Sequence, residues 1–76
     1  MNKREATRQA HRITARQLES FLQSHEPPDD MPSAEWTTLE IALVKVLLYH
    51  SKKAGIVDWY WLSELQQLED KLELAK

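Results

Sequence analysis

The stretch KKAGIVDWYWL, residues 52–62, contains the only glycine of the chain and indicates where one helix ends and the next begins. Lysines in the last turn of a helix complement its dipole, and a glycine just beyond can adopt the left-handed conformation that ends it. Aspartate is a preferred residue for capping a helix N-terminus. This stretch therefore predicts that one helix ends near Ala54 and that another begins at Trp59, after Asp58.

Upstream of this stretch, all three prolines fall between residues 27 and 32. The residue before a proline is disfavoured in helical geometry, so 25–33 is predicted to be a Pro-rich linker. Residues that favour helix dominate on both sides of it. A chain of 76 residues has the length of one domain. We therefore predict a single helical domain over 1–76, with helices at 3–24, 34–54 and 59–75 and Ser33 as the second N-cap.

The middle helix is apolar on nearly all sides; its apolar residues are Trp36, Leu39, Ile41, Leu43, Val44, Val46, Leu47, Leu48 and Tyr49. An amphipathic helix needs only one apolar stripe, so we expect this helix at the centre of an all-α, antiparallel three-helix bundle. In the third helix, Trp61, Leu65, Leu68 and Leu72 form a seam of the kind that packs on a neighbouring helix. A β-strand at 41–49 is the alternative, but no second strand is predicted to pair with it.

Composition limits how so short a chain can be stabilised and where it can act. It has no cysteine, and therefore neither disulfides nor a thiolate metal site. A small core without such supports favours oligomerisation, so we expect a homodimer. The absence of cysteine also fits a cytoplasmic location. The most apolar run, 39–49, is too short and too charged to form a transmembrane segment.

The first helix carries Arg4, Arg8, Arg12 and Arg16 at intervals of four residues, which makes a slanted basic stripe. Like charges at this spacing repel, so a nearby anion would stabilise the helix. Three sources remain open: solvent ions together with Glu5 and Glu19, the acidic third helix of the same or a second subunit, and a nucleic acid or anionic membrane.

Three consecutive aromatic residues begin the third helix, and successive helical residues point about 100° apart. Trp61 starts the leucine seam, whereas Trp59 and Tyr60 fall on polar rows. In an up-down-up bundle the start of the third helix lies beside the start of the first. The two aromatics then either stack on Arg4 or Arg8 or form with them an exposed binding surface.

No pattern in the chain marks catalysis. There is no glycine-rich phosphate loop, and no spacing of His11, His25 or His50 marks a nucleophile with its base. The acidic residues near His25 flank prolines, which favours a solvated turn over a metal site. We therefore expect no enzymatic activity, no cofactor and no bound metal.

These observations favour a small, non-catalytic protein–protein interaction or regulatory module that binds a larger protein or itself. Its predicted contact residues are Trp59, Tyr60, Arg4 and Arg8. The alternative is a nucleic-acid-binding regulator whose arginine stripe neutralises phosphates. A third hypothesis is that the second and third helices form an amphipathic partner that folds fully only in a larger complex.

Overall fold

The computed structural model describes residues 2–75, which form the helices α1 (Lys3–Ser24), α2 (Ser33–Lys53) and α3 (Trp59–Leu74). No strand occurs in this part of the chain, so the all-α prediction is confirmed and the strand at 41–49 is wrong. Helix α2 packs against both other helices, while no Cα atom of α1 lies within 8 Å of one in α3. The central position of α2 is therefore confirmed. The termini of the predicted domain, 1 and 76, lie outside the described residues.

The helix starts follow from local capping. Asn2 caps α1, because its side-chain oxygen accepts a hydrogen bond from the Glu5 N–H at 2.8 Å. Helix α2 begins one residue earlier than predicted, and Ser33 is not its N-cap. Pro32 takes that position with a ψ of 141°, and its carbonyl accepts from the Trp36 N–H at 3.1 Å. An extended ψ at Pro32 is the geometry that an N-cap needs, so Ser33 becomes the first helical residue.

The turn between α2 and α3 confirms the signals in residues 52–62. Gly55 has a φ of 80°, and its N–H donates to the Lys52 carbonyl at 3.0 Å. The Ile56 N–H donates to the Ser51 carbonyl at 2.9 Å, which completes a Schellman motif. The Asp58 side chain accepts from the Trp61 N–H at 3.2 Å and caps α3. Helix α3 ends at Leu74, one residue before the predicted end.

The core draws on all three helices. Its buried cluster consists of Ala15, Val44, Leu47 and Trp61, with Leu18, Leu22, Leu48, Leu65 and Leu68 packed around it. The first two turns of α1 lie outside this core, because every residue from 2 to 10 is exposed. The molecule is elongated: its radius of gyration is 14.2 Å, whereas a compact chain of this length has about 11 Å.

Candidate interaction surfaces

Trp59 and Tyr60, here called the aromatic pair, lie in the first turn of α3 and remain exposed. Trp59 is 76% exposed and Tyr60 is 57% exposed. Because the helix turns about 100° per residue, Trp61 reaches the core while its two neighbours point elsewhere. The ring of Tyr60 meets that of Trp61 edge-on, with centroids 5.0 Å apart. The pair is therefore joined to the core on one side, and Trp59 is open to solvent.

Trp61 connects α3 to α1. Its indole N–H donates to the Glu19 carboxylate at 2.6 Å. This side-chain bond joins the two helices although no Cα atom of α1 lies within 8 Å of one in α3. This bond sets the start of α3 level with Glu19, in the second half of α1. Arg4 is fifteen residues before Glu19, which corresponds to about 22 Å along a helix. The predicted three-helix bundle is therefore formed, but the start of α3 does not lie beside the start of α1 as expected.

This register determines which arginines lie near α3. Arg12 and Arg16 line a cavity of about 130 Å³ that they share with Glu19 and Asp58. Two carboxylates thus lie among two guanidiniums, which offsets their charge. Asp58 is the N-cap of α3, so Arg12 and Arg16 share this cavity with the residue at the start of that helix.

Arg4 and Arg8 occupy a different place, a cleft of about 490 Å³ whose other lining residues are Lys3, Thr7, His11 and Lys53. We call it the basic cleft, since four of its lining residues are lysine or arginine and none is acidic. The four residues predicted to form one contact surface are therefore divided between the basic cleft and the aromatic pair.

A cation–π contact does form, but between other residues. The Lys53 Nζ lies 5.7 Å from the centroid of the Tyr49 ring. Within residues 2–75, no contact of this kind joins an arginine to the aromatic pair. The stacking of Trp59 or Tyr60 on Arg4 or Arg8 is therefore not formed, and both aromatics remain accessible.

Two histidines meet at the edge of the basic cleft. His11 Nδ1 and His50 Nδ1 are 2.8 Å apart, and the Tyr49 ring meets His11 edge-on. Such a bond needs one ring nitrogen to donate and the other to accept. This contact was not predicted from the sequence. No local signal reveals it, since 39 residues separate them.

The proline-rich linker borders a cleft of about 530 Å³ that Trp36, Glu40 and Lys71 also line. His25 is held against α1, where its ring stacks on Phe21 at 4.1 Å. No group of three or more metal-ligating side chains is assembled within residues 2–75.

Burial raises the pKa of the Glu40 carboxyl, which lines this linker cleft. Lys71 acts to lower that pKa, and Glu64 raises it further.

The outer face of α2 is an apolar surface that sequence reasoning did not single out. Leu39, Val46 and Tyr49 are all exposed there, on the side of α2 opposite the fully buried Val44. Helices α1 and α3 cover two sides of α2. The third apolar side has no covering helix within residues 2–75.

Comparison of the chain with models of known protein families, with curated proteins and with solved structures found no match. No helix within residues 2–75 is both long and apolar enough to cross a membrane.

Proposed function

We propose that the protein is a small, non-catalytic interaction module that acts in the cytoplasm and binds another protein through the aromatic pair. The observation that carries this proposal is the 76% exposure of Trp59 at the capped start of a helix. Tryptophan, tyrosine and arginine are the residues most enriched at binding hot spots. Arg12 and Arg16 share a cavity with Asp58, the residue before this pair.

The local structure supports a preformed contact. Asp58 caps α3 directly before the pair, and Tyr60 rests against the buried Trp61. A side chain held in this way, as that of Tyr60 is, loses less conformational entropy when it binds. A partner with an apolar pocket for an indole fits this surface.

Replacing Trp59 and Tyr60 together with alanine tests the proposal. The variant and the wild type are immobilised, exposed to native lysate with and without nuclease, and compared by mass spectrometry. We expect a protein that wild type captures regardless of nuclease and that Trp59→Ala/Tyr60→Ala loses. Circular dichroism should show nearly unchanged helical content, because both side chains are exposed.

Leu74→Ala is the matched control, since Leu74 is an exposed apolar residue of the same helix. It should capture the same protein as wild type. Equal capture by wild type and by the double variant would contradict the proposal.

The second candidate function is nucleic-acid binding by the arginine stripe, and the acid-free lining of the basic cleft favours it. Cations clustered in this way neutralise phosphates, and binding then weakens steeply with salt. Fluorescence anisotropy with labelled duplex and single-stranded DNA at about 50 mM salt tests it. Binding that falls in Arg4→Ala/Arg8→Ala, and to a smaller extent in Arg12→Ala/Arg16→Ala, would support this function, and no binding by wild type would exclude it.

A further inference from the structure

The outer face of α2 carries a regular stripe of six exposed residues. They are Glu35, Leu39, Ala42, Val46, Tyr49 and Lys53, at spacings of 4, 3, 4, 3 and 4. This alternation is that of a helix–helix seam. Ala42 and Val46 each lie two residues from Val44, about 200° around the helix. The α2 stripe therefore faces directly away from the core side of α2, where Val44 is 0% exposed.

The α2 stripe is symmetric about Val44. Glu35 and Lys53 are equidistant from it, and so are Leu39 and Tyr49, and Ala42 and Val46. A two-fold axis at Val44 would pair each residue with its counterpart in an antiparallel second helix. Leu39 would then meet Tyr49 of the second copy, and Ala42 would meet its Val46. A two-fold interface requires this kind of self-complementarity.

The charges at the ends of the α2 stripe fit the same arrangement. Glu35 is at the first turn of α2 and Lys53 is its last residue. Antiparallel pairing brings Glu35 beside Lys53 of the second copy at both ends. Parallel pairing would instead place glutamate against glutamate and lysine against lysine, and like charges across an interface disfavour that alternative.

An apolar groove continues the α2 stripe toward α1. Leu43 lies four residues after Leu39 and three before Val46, so it adjoins both on the helix surface. It lines a groove of about 350 Å³ whose other lining residues are Thr14, Gln17, Leu18 and Phe21. Two antiparallel copies would bring these grooves together along one side of the α2–α2 contact. The α1–α2 pairs would then form a four-helix bundle with α3 on its outside.

We propose that the α2 stripe is the interface of an antiparallel homodimer. This interface lies on a different face from the aromatic pair and does not depend on the function proposed for that pair. The Trp59→Ala/Tyr60→Ala variant should therefore remain dimeric, and a dimer-deficient variant should still bind the partner of the aromatic pair.

Sedimentation equilibrium of the full chain from about 10 μM to 1 mM tests the proposal. Wild type should move from a monomer of 8.9 kDa toward twice that mass as concentration rises. Val46→Glu should raise the dissociation constant by at least about tenfold, because it buries an unpaired charge at the interface. Its helical content should be unchanged, since Val46 is 45% exposed in the monomer.

Leu62→Glu is the matched control, because Leu62 is 42% exposed on α3 and lies outside the α2 stripe. It should dimerise as wild type does. A wild type that stays monomeric at the highest concentration, or a Val46→Glu variant that dimerises normally, would overturn the proposal.

A charge exchange tests the antiparallel pairing. Glu35→Lys and Lys53→Glu should each weaken the dimer, and Glu35→Lys/Lys53→Glu should recover it. Each substitution opposes the dipole of α2 itself. Recovery in the double variant therefore cannot come from a more stable helix, and failure to recover contradicts the pairing.

Because the chain has no native cysteine, cross-linking of introduced cysteines can determine the relative orientation of the two α2 helices in the dimer. Under mild oxidation, a mixture of Glu35→Cys and Lys53→Cys chains should give a cross-linked heterodimer. Glu35→Cys alone should give little product, because its two copies lie at opposite ends of the interface. A strong cross-link in Glu35→Cys alone would indicate a parallel dimer and overturn the antiparallel one.

Discussion

Gly55 is the residue on which the α2–α3 turn depends, since its φ of 80° is in the left-handed region. A Cβ added there would have no atom within 4 Å, so a side chain meets no steric obstacle. Gly55→Ala should therefore lower the free energy of unfolding by about 1 to 2 kcal/mol through backbone strain alone. Gly55→Asn should cost less, because asparagine tolerates this conformation. Equal urea denaturation curves for wild type and Gly55→Ala would contradict this explanation.

Glu40 makes stability depend on pH. Burial raises its pKa in the folded chain, so the folded state holds this proton at a pH where the unfolded state has released it. The free energy of unfolding should therefore fall as pH rises from the ordinary glutamate pKa through the raised one. Glu40→Gln should remove this slope and stabilise the fold at neutral pH by roughly a few tenths of a kcal/mol.

The control for Glu40 is Lys71, the residue that acts to lower this pKa. Lys71→Gln should make the same slope steeper and reduce stability at neutral pH. Thermal unfolding measured by circular dichroism across the acidic range distinguishes the two variants. A wild-type slope that Glu40→Gln leaves unchanged would assign the pH dependence to other groups.

Between the helices, the hydrogen bond from Trp61 to Glu19 holds α3 to α1. Trp61→Phe keeps most of the apolar contact but leaves the partly buried Glu19 carboxylate without its donor. Hydrogen bonds to charged groups contribute about 1.5 to 3 kcal/mol, so the free energy of unfolding should fall by that amount. Trp59→Phe is the control, because Trp59 is exposed and should change stability little. A Trp61→Phe loss that persists in full when Glu19 is alanine would show that the bond is not its cause.

The ends of the helices could be predicted because the signals for them are local. Asp58 and Gly55 cap or end a helix through bonds to residues a few positions away, and both predictions are confirmed. The register of α1 against α3 could not be predicted in this way. Glu19 and Trp61 are 42 residues apart, and no spacing in the sequence pairs them.

The proposed dimer links the stability of the fold to the protein concentration. Two folded chains that bind each other stabilise the folded state by mass action, so the Tm should rise as the protein is concentrated. In Val46→Glu this dependence should be weaker. Differential scanning calorimetry over a hundredfold range of concentration measures both. A wild-type Tm that does not change would contradict the dimer.

The uncovered face of α2 was also beyond prediction from sequence. An apolar pattern on all sides of a helix indicates a central position but not which side will lack a neighbour. That depends on where α1 and α3 lie around α2, which tertiary packing decides. For the same reason, the sequence showed the arginine stripe and the adjacent aromatics but not their distance apart. In the structure, Arg4 and Arg8 lie in the basic cleft, away from Trp59 and Tyr60.

The lack of any close Cα approach between α1 and α3 has a consequence for the order of folding. The chain consists of two local hairpins that share α2, and contacts of short sequence separation form quickly. We expect α2 to be structured in the folding transition state with either hairpin. Conservative truncation of Val44 or Leu47 should then slow folding, whereas truncation of Leu22 or Leu68 should mainly speed unfolding. Stopped-flow φ-values would contradict this route if α1 or α3 were more fully formed than α2 in the transition state.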